Sequence, residues 1–394
     1  MKVLQVINAF YPPYSSGGAA HPTYNISKQL MKRGHTVTVY ATNILDNKNL
    51  FHVESNPYNV NNMEVWYFRN SMYSPRNNVC LSLELVNALK MNITTFDLVH
   101  VHEFRSFHNA AIHHYAKSSN TPYVLQARGS LPMIMTKQKL KLIYDLFFGH
   151  RLLKDASKVI ALTKAEAQQC KSMGVPEEKI VIIPNGIDLS EYVNVPPKGS
   201  FKRKFDIPEG KKIILYLGRI HEIKGIDILV KAYAYALKEL RLNDALLAIA
   251  GPDDGYLGRL KQLLSSLKMI NDVLLTGPLY GKDKLEASID ADIFVLPSRY
   301  ETFPNVVLEA YACSKPVIAS NVESIPDIVL HGKTGLLFRA GDVEELAEMI
   351  SYMLTHSEEA KRMGHRARKV VDEKFSIDKV VDSIEVLYEK TLEK

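Results

Sequence analysis

Short runs of consecutive apolar, mostly β-branched residues bounded by Gly, Pro, Asn or Asp alternate along the chain with longer stretches whose apolar positions recur every three to four residues. The runs predict strands at 3–7, 37–41, 65–68, 98–102, 123–126, 159–162 and 180–183, then at 213–217, 246–250, 273–276, 293–296, 316–319 and 336–338. The periodic stretches predict helices between them. Strands apolar at successive positions are buried on both faces, as in parallel sheets covered by helices joined through right-handed crossovers. The rhythm runs twice, interrupted at 184–200 by PNGIDLSEYVNVPPKGS, whose composition is that of a boundary. The expected fold class is therefore α/β: two Rossmann-like parallel-sheet domains, 1–190 and 191–375, facing a shared cleft. A last helix, 376–394, is expected to pack back on the first domain. Open sheets of this kind take ligands beyond the carboxyl ends of their strands, where strand order switches, so the informative residues should follow strands.

Composition narrows the class without naming it. The 394 residues are 46% apolar, ample for two cores, and 49 Lys+Arg against 43 Asp+Glu leave a charge of only +6, too diffuse for a nucleic-acid stripe. Cys80, Cys170 and Cys313 are far apart and form neither a CxxC nor an even framework, which argues against disulfides and structural zinc. The opening MKVLQVINAF has too short an apolar core for a signal peptide, and no run approaches the ~18–20 residues of a membrane span. A cytoplasmic chain is expected.

Several residues after strands have chemistry to offer. Glu301 and Glu309 stand eight apart around an expected helix start near Pro304. The helix's uncovered N–H groups near Asn305, Val306 and Val307 would seat a diphosphate. Glu301 would reach hydroxyls at the mouth and Glu309 the two hydroxyls of a ribose; the alternative is a pair of solvated surface carboxylates. Arg219 and Lys224 follow 213–217 and would hold a developing diphosphate, unless they belong to a solvated loop. Gly17 and Gly18 precede an amphipathic helix and let backbone approach a phosphate. The pattern is GG, not GxGxxG, so a nicotinamide cofactor is poorly supported. His100 and His102 share one face of a strand end, without a third ligand at metal spacing. Asp290 and Asp292 read as boundary residues. The stretch 136–158 carries six Lys/Arg among Leu140, Ile143, Tyr144, Phe147 and Phe148; it either packs into the first domain or lies on an anionic bilayer.

The segment ETFPNVVLEA resembles the E-x7-E signature of the retaining nucleotide-sugar glycosyltransferases of family four, which have the GT-B fold. LYLGRIHEIKGIDILVKA resembles that family's donor-phosphate segment and TGPLYGKDKLEASIDADIFVLPS its nucleotide-base loop. VIIPNGID is similar to the end of the family's first domain and VLQVINAFYPPYSSGGAAHPTYNISKQLMKRGHTVTVYA to its start. The resemblance implies a retaining, metal-independent hexosyltransferase that needs no cofactor. It would move a sugar from a nucleoside-diphosphate donor to a hydroxyl acceptor, expected to be a glycolipid, lipid-linked or surface-polysaccharide precursor. It implies catalytic roles for Arg219, Lys224 and Glu301, donor binding by Gly17, Gly18, Leu279, Phe303, Asn305, Val306, Val307 and Glu309, and acceptor-side roles for His102 and Arg128. Arg128 stands where many relatives have a histidine that contacts the sugar. A sugar-nucleotide epimerase, a glycoside hydrolase using Glu301 and Glu309, and a binding-only relative are the alternatives. The expected location is cytoplasmic, with peripheral contact with the cytoplasmic face of a membrane as the option that the basic segment leaves open.

Overall fold

A computed structural model describes residues 1–11, 18–45, 49–74, 79–132 and 138–393. By contacts the chain divides into two units, one made of Met1–Gly186 with Ile377–Lys394, the other of Ile187–Ser376.

In the first unit the strands are β1 Lys2–Val6, β2 Thr36–Thr42, β3 Tyr58–Val60, β4 Met63–Phe68, β5 Met72–Ser74, β6 Val79–Leu81, β7 Leu98–His102, β8 Tyr123–Gln126, β9 Lys158–Ala161 and β10 Ile180–Ile182. Eight of them form a sheet in the order β10-β9-β8-β7-β1-β2-β4-β3, parallel except for β3. Alternate side chains leave opposite faces. Leu4, Val6, Val99, Val101 and Leu125 meet Leu85, Leu89, Ile112 and Leu152 on one side. Val3, Val37, Val39, Leu98 and Val124 meet Ile26 and Leu30 of helix Ala20–Lys32 on the other. The C-terminal helix Ile377–Leu392 adds Val380, Val381, Ile384, Leu387 and Tyr388 to that second core. Arg33 Nη1 pairs with Glu385 and, at 2.8 Å, with Asp382, and His35 Nε2 lies 2.7 Å from Glu385 Oε1.

The second unit holds β11 Lys212–Leu217, β12 Ala245–Ala250, β13 Val273–Gly277, β14 Ile293–Leu296, β15 Val317–Ser320 and β16 Gly335–Phe338, all parallel, ordered β13-β12-β11-β14-β15-β16. Helix Ile226–Lys238 buries Ile226, Leu229, Val230 and Tyr233 beside Leu346, Ile350 and Met353 of helix Val343–Thr355. Asp290 and Asp292 close element boundaries: Asp290 accepts from the N–H groups of Gly199 and Lys202, and Asp292 from that of Ile213.

Each expected strand has an observed counterpart within one or two residues. The pattern missed β3, β5 and β6, three-residue strands too short to show a period.

Candidate active site

In each sheet, strand order reverses once among the neighbours that matter. In the second unit the switch lies between β11 and β14, because successive strands run outward from that pair in both directions. Lys224 follows β11 and Glu301 follows β14, and Lys224 Nζ donates to Glu301 Oε1 across the switch. Both side chains are largely enclosed, at 16% and 11% exposure. Ser298 Oγ adds a bond of 3.3 Å to the same oxygen, and Ser324 Oγ holds the Glu301 carbonyl at 2.9 Å. The loop carrying Lys224 is fixed by Gly225, at φ +63°, where a Cβ would fall 2.0 Å from the Pro297 carbonyl oxygen. Only glycine lets that loop lie against the end of β14.

Arg219 is half exposed and turns to Asp254, with Nη1 2.5 Å from Oδ2, so the two expected cations answer different carboxylates. Lys284, on helix Gly281–Asp290, donates from Nζ to Glu309 Oε1 at 2.8 Å, and this carboxylate raises its pKa. Glu309 Oε2 is buried with no partner among the described residues. An orphaned buried carboxylate oxygen calls for a partner the protein does not supply. Leu279 is half-buried in the loop between β13 and that helix.

The start of helix Asn305–Ala312 differs from expectation. The Asn305 N–H donates to the Phe303 carbonyl at 3.1 Å and the Val307 N–H to that of Pro304 at 2.9 Å. A tight turn at Pro304, which has no N–H of its own, returns those two donors to the chain, so they are not uncovered. Val307 is fully buried and Val306 half-buried. Phe303 is 8% exposed, with its ring 6.4 Å from that of Phe375, so its side chain is core.

In the first unit the switch lies between β7 and β1. Asn8 after β1 donates from Nδ2 to Glu103 Oε2 after β7 at 2.6 Å. Sequence reasoning passed over Asn8, and its place directly after the first strand was the available signal. Glu103 and Arg128, at the ends of neighbouring strands, both have positive φ, 68° and 51°. Non-glycine residues held there store strain of the kind concentrated at functional sites.

Arg128 fixes a directed chain of bonds, because a guanidinium only donates. Its Nε donates to His102 Nδ1 at 3.1 Å, which leaves the His102 proton on Nε2 to bond Gln5 Oε1 at 2.6 Å. Gln5 Nε2 donates to the Tyr388 hydroxyl at 3.4 Å, and that hydroxyl lies 2.6 Å from His100 Nδ1. The two imidazoles stack with centroids 4.2 Å apart. Burial drives the pKa of His102 well below the ordinary value and that of His100 down to about 3, so both rings are neutral. His102 is 1% exposed with both nitrogens engaged, so its ring is not available for the expected acceptor contact; it positions Arg128 instead. Arg128 Nη1 reaches Asn185 Oδ1 at 2.6 Å, while Nη2 is buried without a partner among the described residues. Burial lowers the Arg128 pKa to about 10. Glu166, which accepts from the Gly129 and Leu162 N–H groups at 2.6 and 2.7 Å, opposes that shift by its charge.

Gly17 lies outside the described residues. Gly18 is exposed just ahead of helix Ala20–Lys32, whose N-cap Ala19 offers no capping side chain. Among the described residues no group of three or more His, Cys, Asp or Glu is placed to hold a metal ion.

Two parallel α/β units with polar residues gathered at their switch points define the class, and solved structures similar to this one are GT-B glycosyltransferases. The Anabaena protein HepE, whose crystal structure holds UDP and glucose, superposes with a TM-score of 0.79 at 19% identity, over 99% of this chain and 100% of that one. Residues 16–191 match the model of Glycosyltransferase Family 4 and residues 197–370 that of Glycosyl transferases group 1. The chain belongs to this GT-B, family-four type of glycosyltransferase. It is 29% identical to the N-acetyl-alpha-D-glucosaminyl L-malate synthase of Bacillus anthracis over 60% of each chain. It is 26% identical to an uncharacterised glycosyltransferase of Methanocaldococcus jannaschii over 97% of each. The match thus spans three fifths of the first relative and nearly all of the second.

Proposed function

We propose that this protein transfers a hexosyl group from a nucleoside-diphosphate sugar to a hydroxyl acceptor, with retention of anomeric configuration. The Lys224–Glu301 pair across the second switch point carries this reading. A fixed ammonium near the carboxyl ends of β11 and β14 opposes the charge that develops on a departing diphosphate, and it is in place before the reaction begins. Arg219 adds a second cation. Glu301 holds Lys224 and offers its other oxygen to sugar hydroxyls, the orphaned Oε2 of Glu309 accepts from a ribose hydroxyl, and Leu279 gives apolar contact to the base. Departure and attack on the same face, within one loose ion pair, give retention. In this reading the two cations serve where other transferases use a divalent metal.

A hydrolase would use Glu301 and Glu309 as free acid and base, yet each is paired with a lysine. The names of the relatives, a malate synthase and D-inositol 3-phosphate glycosyltransferases, favour a hydroxyl acceptor. A thermal-shift panel of nucleoside-diphosphate sugars tests the donor assignment. The matching donor at about 100 times its Kd adds about 2.7 kcal/mol to the native state, a rise of a few degrees. A panel with no stabilising member would refute it.

A further inference from the structure

We propose that the segment 138–155 is a docking surface for an anionic lipid bilayer, and that the acceptor is lipid-linked; only the second clause rests on the transfer reading. The segment is helix Gln138–Tyr144, one π turn Asp145–Gly149 and helix His150–Asp155. Its inner side is firmly mounted. Arg105 grips Asp145 with two bonds, Nε to Oδ1 at 2.8 Å and Nη2 to Oδ2 at 2.6 Å, and also bonds the carbonyls of Ser130 and Leu131. The Tyr144 hydroxyl donates to the Ser106 carbonyl at 2.8 Å. Gly149 packs so closely that a Cβ would lie 2.8 Å from both Asp145 and Phe104. Leu152 and Leu153 are fully buried.

The outer side is exposed and apolar. From 142 to 148 every exposed side chain is apolar: Leu142 58%, Ile143 53%, Leu146 69%, Phe147 60% and Phe148 49%, extended by Leu140 at 58%. Contiguous exposed apolar surface on a fixed mount marks an interaction site. Charge selects the occupant. Lys139 and Lys141 stand before this face and Arg151 and Lys154 after it, while the acids of the segment are engaged elsewhere, Asp145 by Arg105 and Asp155 by Lys117 and His113. Apolar side chains flanked by cations match the acyl boundary and headgroups of an anionic membrane. A second copy would set like-charged flanks against each other. No helix among the described residues is long and apolar enough to cross a membrane, so the contact lies on the surface. The mount, through Ser130 and Leu131, adjoins the Arg128–Gly129 turn, which places a docked bilayer next to the acceptor-side cluster.

Co-sedimentation of the full chain with vesicles tests this. Equimolar phosphatidylglycerol and phosphatidylcholine should pull the protein down, pure phosphatidylcholine far less, and rising salt should release it. Leu146→Ser with Phe147→Ser should weaken binding at least about tenfold, and Lys139→Glu with Arg151→Glu at least about twentyfold, without lowering the melting temperature. Wild-type protein that stays in solution with anionic vesicles overturns the proposal. So do variants that bind as wild type, or a wild-type dimer that the apolar variant dissolves while vesicles bind neither. Donor stabilisation is read without vesicles, so its failure and this one are separate results.

Discussion

Lys224 and Arg219, two cations five apart after one strand, answer different carboxylates in different degrees of burial. Lys224 is enclosed against Glu301, whereas Arg219 is half exposed against Asp254. Lys224→Ala should therefore lower turnover about 10²–10³-fold and Arg219→Ala about tenfold to a hundredfold; equal losses in steady-state kcat would contradict the ranking. The buried imidazoles give a second prediction. His100 is held down to about 3 and His108 to about 4, both by burial, so the unfolded chain binds more protons than the native one below about pH 6.5. Their contribution is complete above that pH and is lost as pH falls towards the folded values, with His108 alone worth on the order of 3 kcal/mol. Glu103 and Glu166, raised by burial, act in the opposite sense and offset part of the loss. Melting followed by circular dichroism should show a lower transition at pH 5 than at pH 7; no change would contradict neutral buried rings. The identity of the cations was legible because residue type and position after a strand suffice. The roles of His102 and Phe303 were not, because burial and partner depend on packing between segments distant in sequence, as when Tyr388 meets His100.

At the scale of elements, the apolar runs located the principal strands because a strand buried on both faces holds few polar residues, and those it holds, such as Gln5 and His102, find partners inside. The three-residue β3 and β5, which carry Asn59 and Ser74, and the π turn Asp145–Gly149 leave no such trace: one extra residue in a helical turn changes which side chains face inward without changing the composition. The free donors expected at Asn305 and Val307 failed for a comparable reason, since a propensity for a helix start does not say how the preceding turn closes. Gly225 is the element-scale test of the donor loop. Gly225→Ala puts a Cβ 2.0 Å from a backbone oxygen at φ +63°, so it should cost at least about 2–3 kcal/mol in denaturant unfolding. It should also lower kcat by displacing Lys224. An alanine variant with native stability and turnover would show that the loop does not need this close approach.

Taken whole, the two large sheets follow one logic, each placing polar residues where strand order reverses. The C-terminal helix Ile377–Leu392 belongs to the first unit, and its Tyr388 joins the bond chain that begins at Arg128. The small positive surplus in the composition now has locations: Lys224 and Arg219 at the second switch point, and the cations flanking an exposed apolar face on the first unit. The most direct test of the central claim is nucleoside-diphosphate release from the donor that stabilises the protein, measured with and without a hydroxyl acceptor and with a chelator present. Release should depend on acceptor, survive chelation, collapse in Lys224→Ala, and leave a product whose anomeric configuration matches the donor. Equal release without acceptor, or an inverted product, would contradict it.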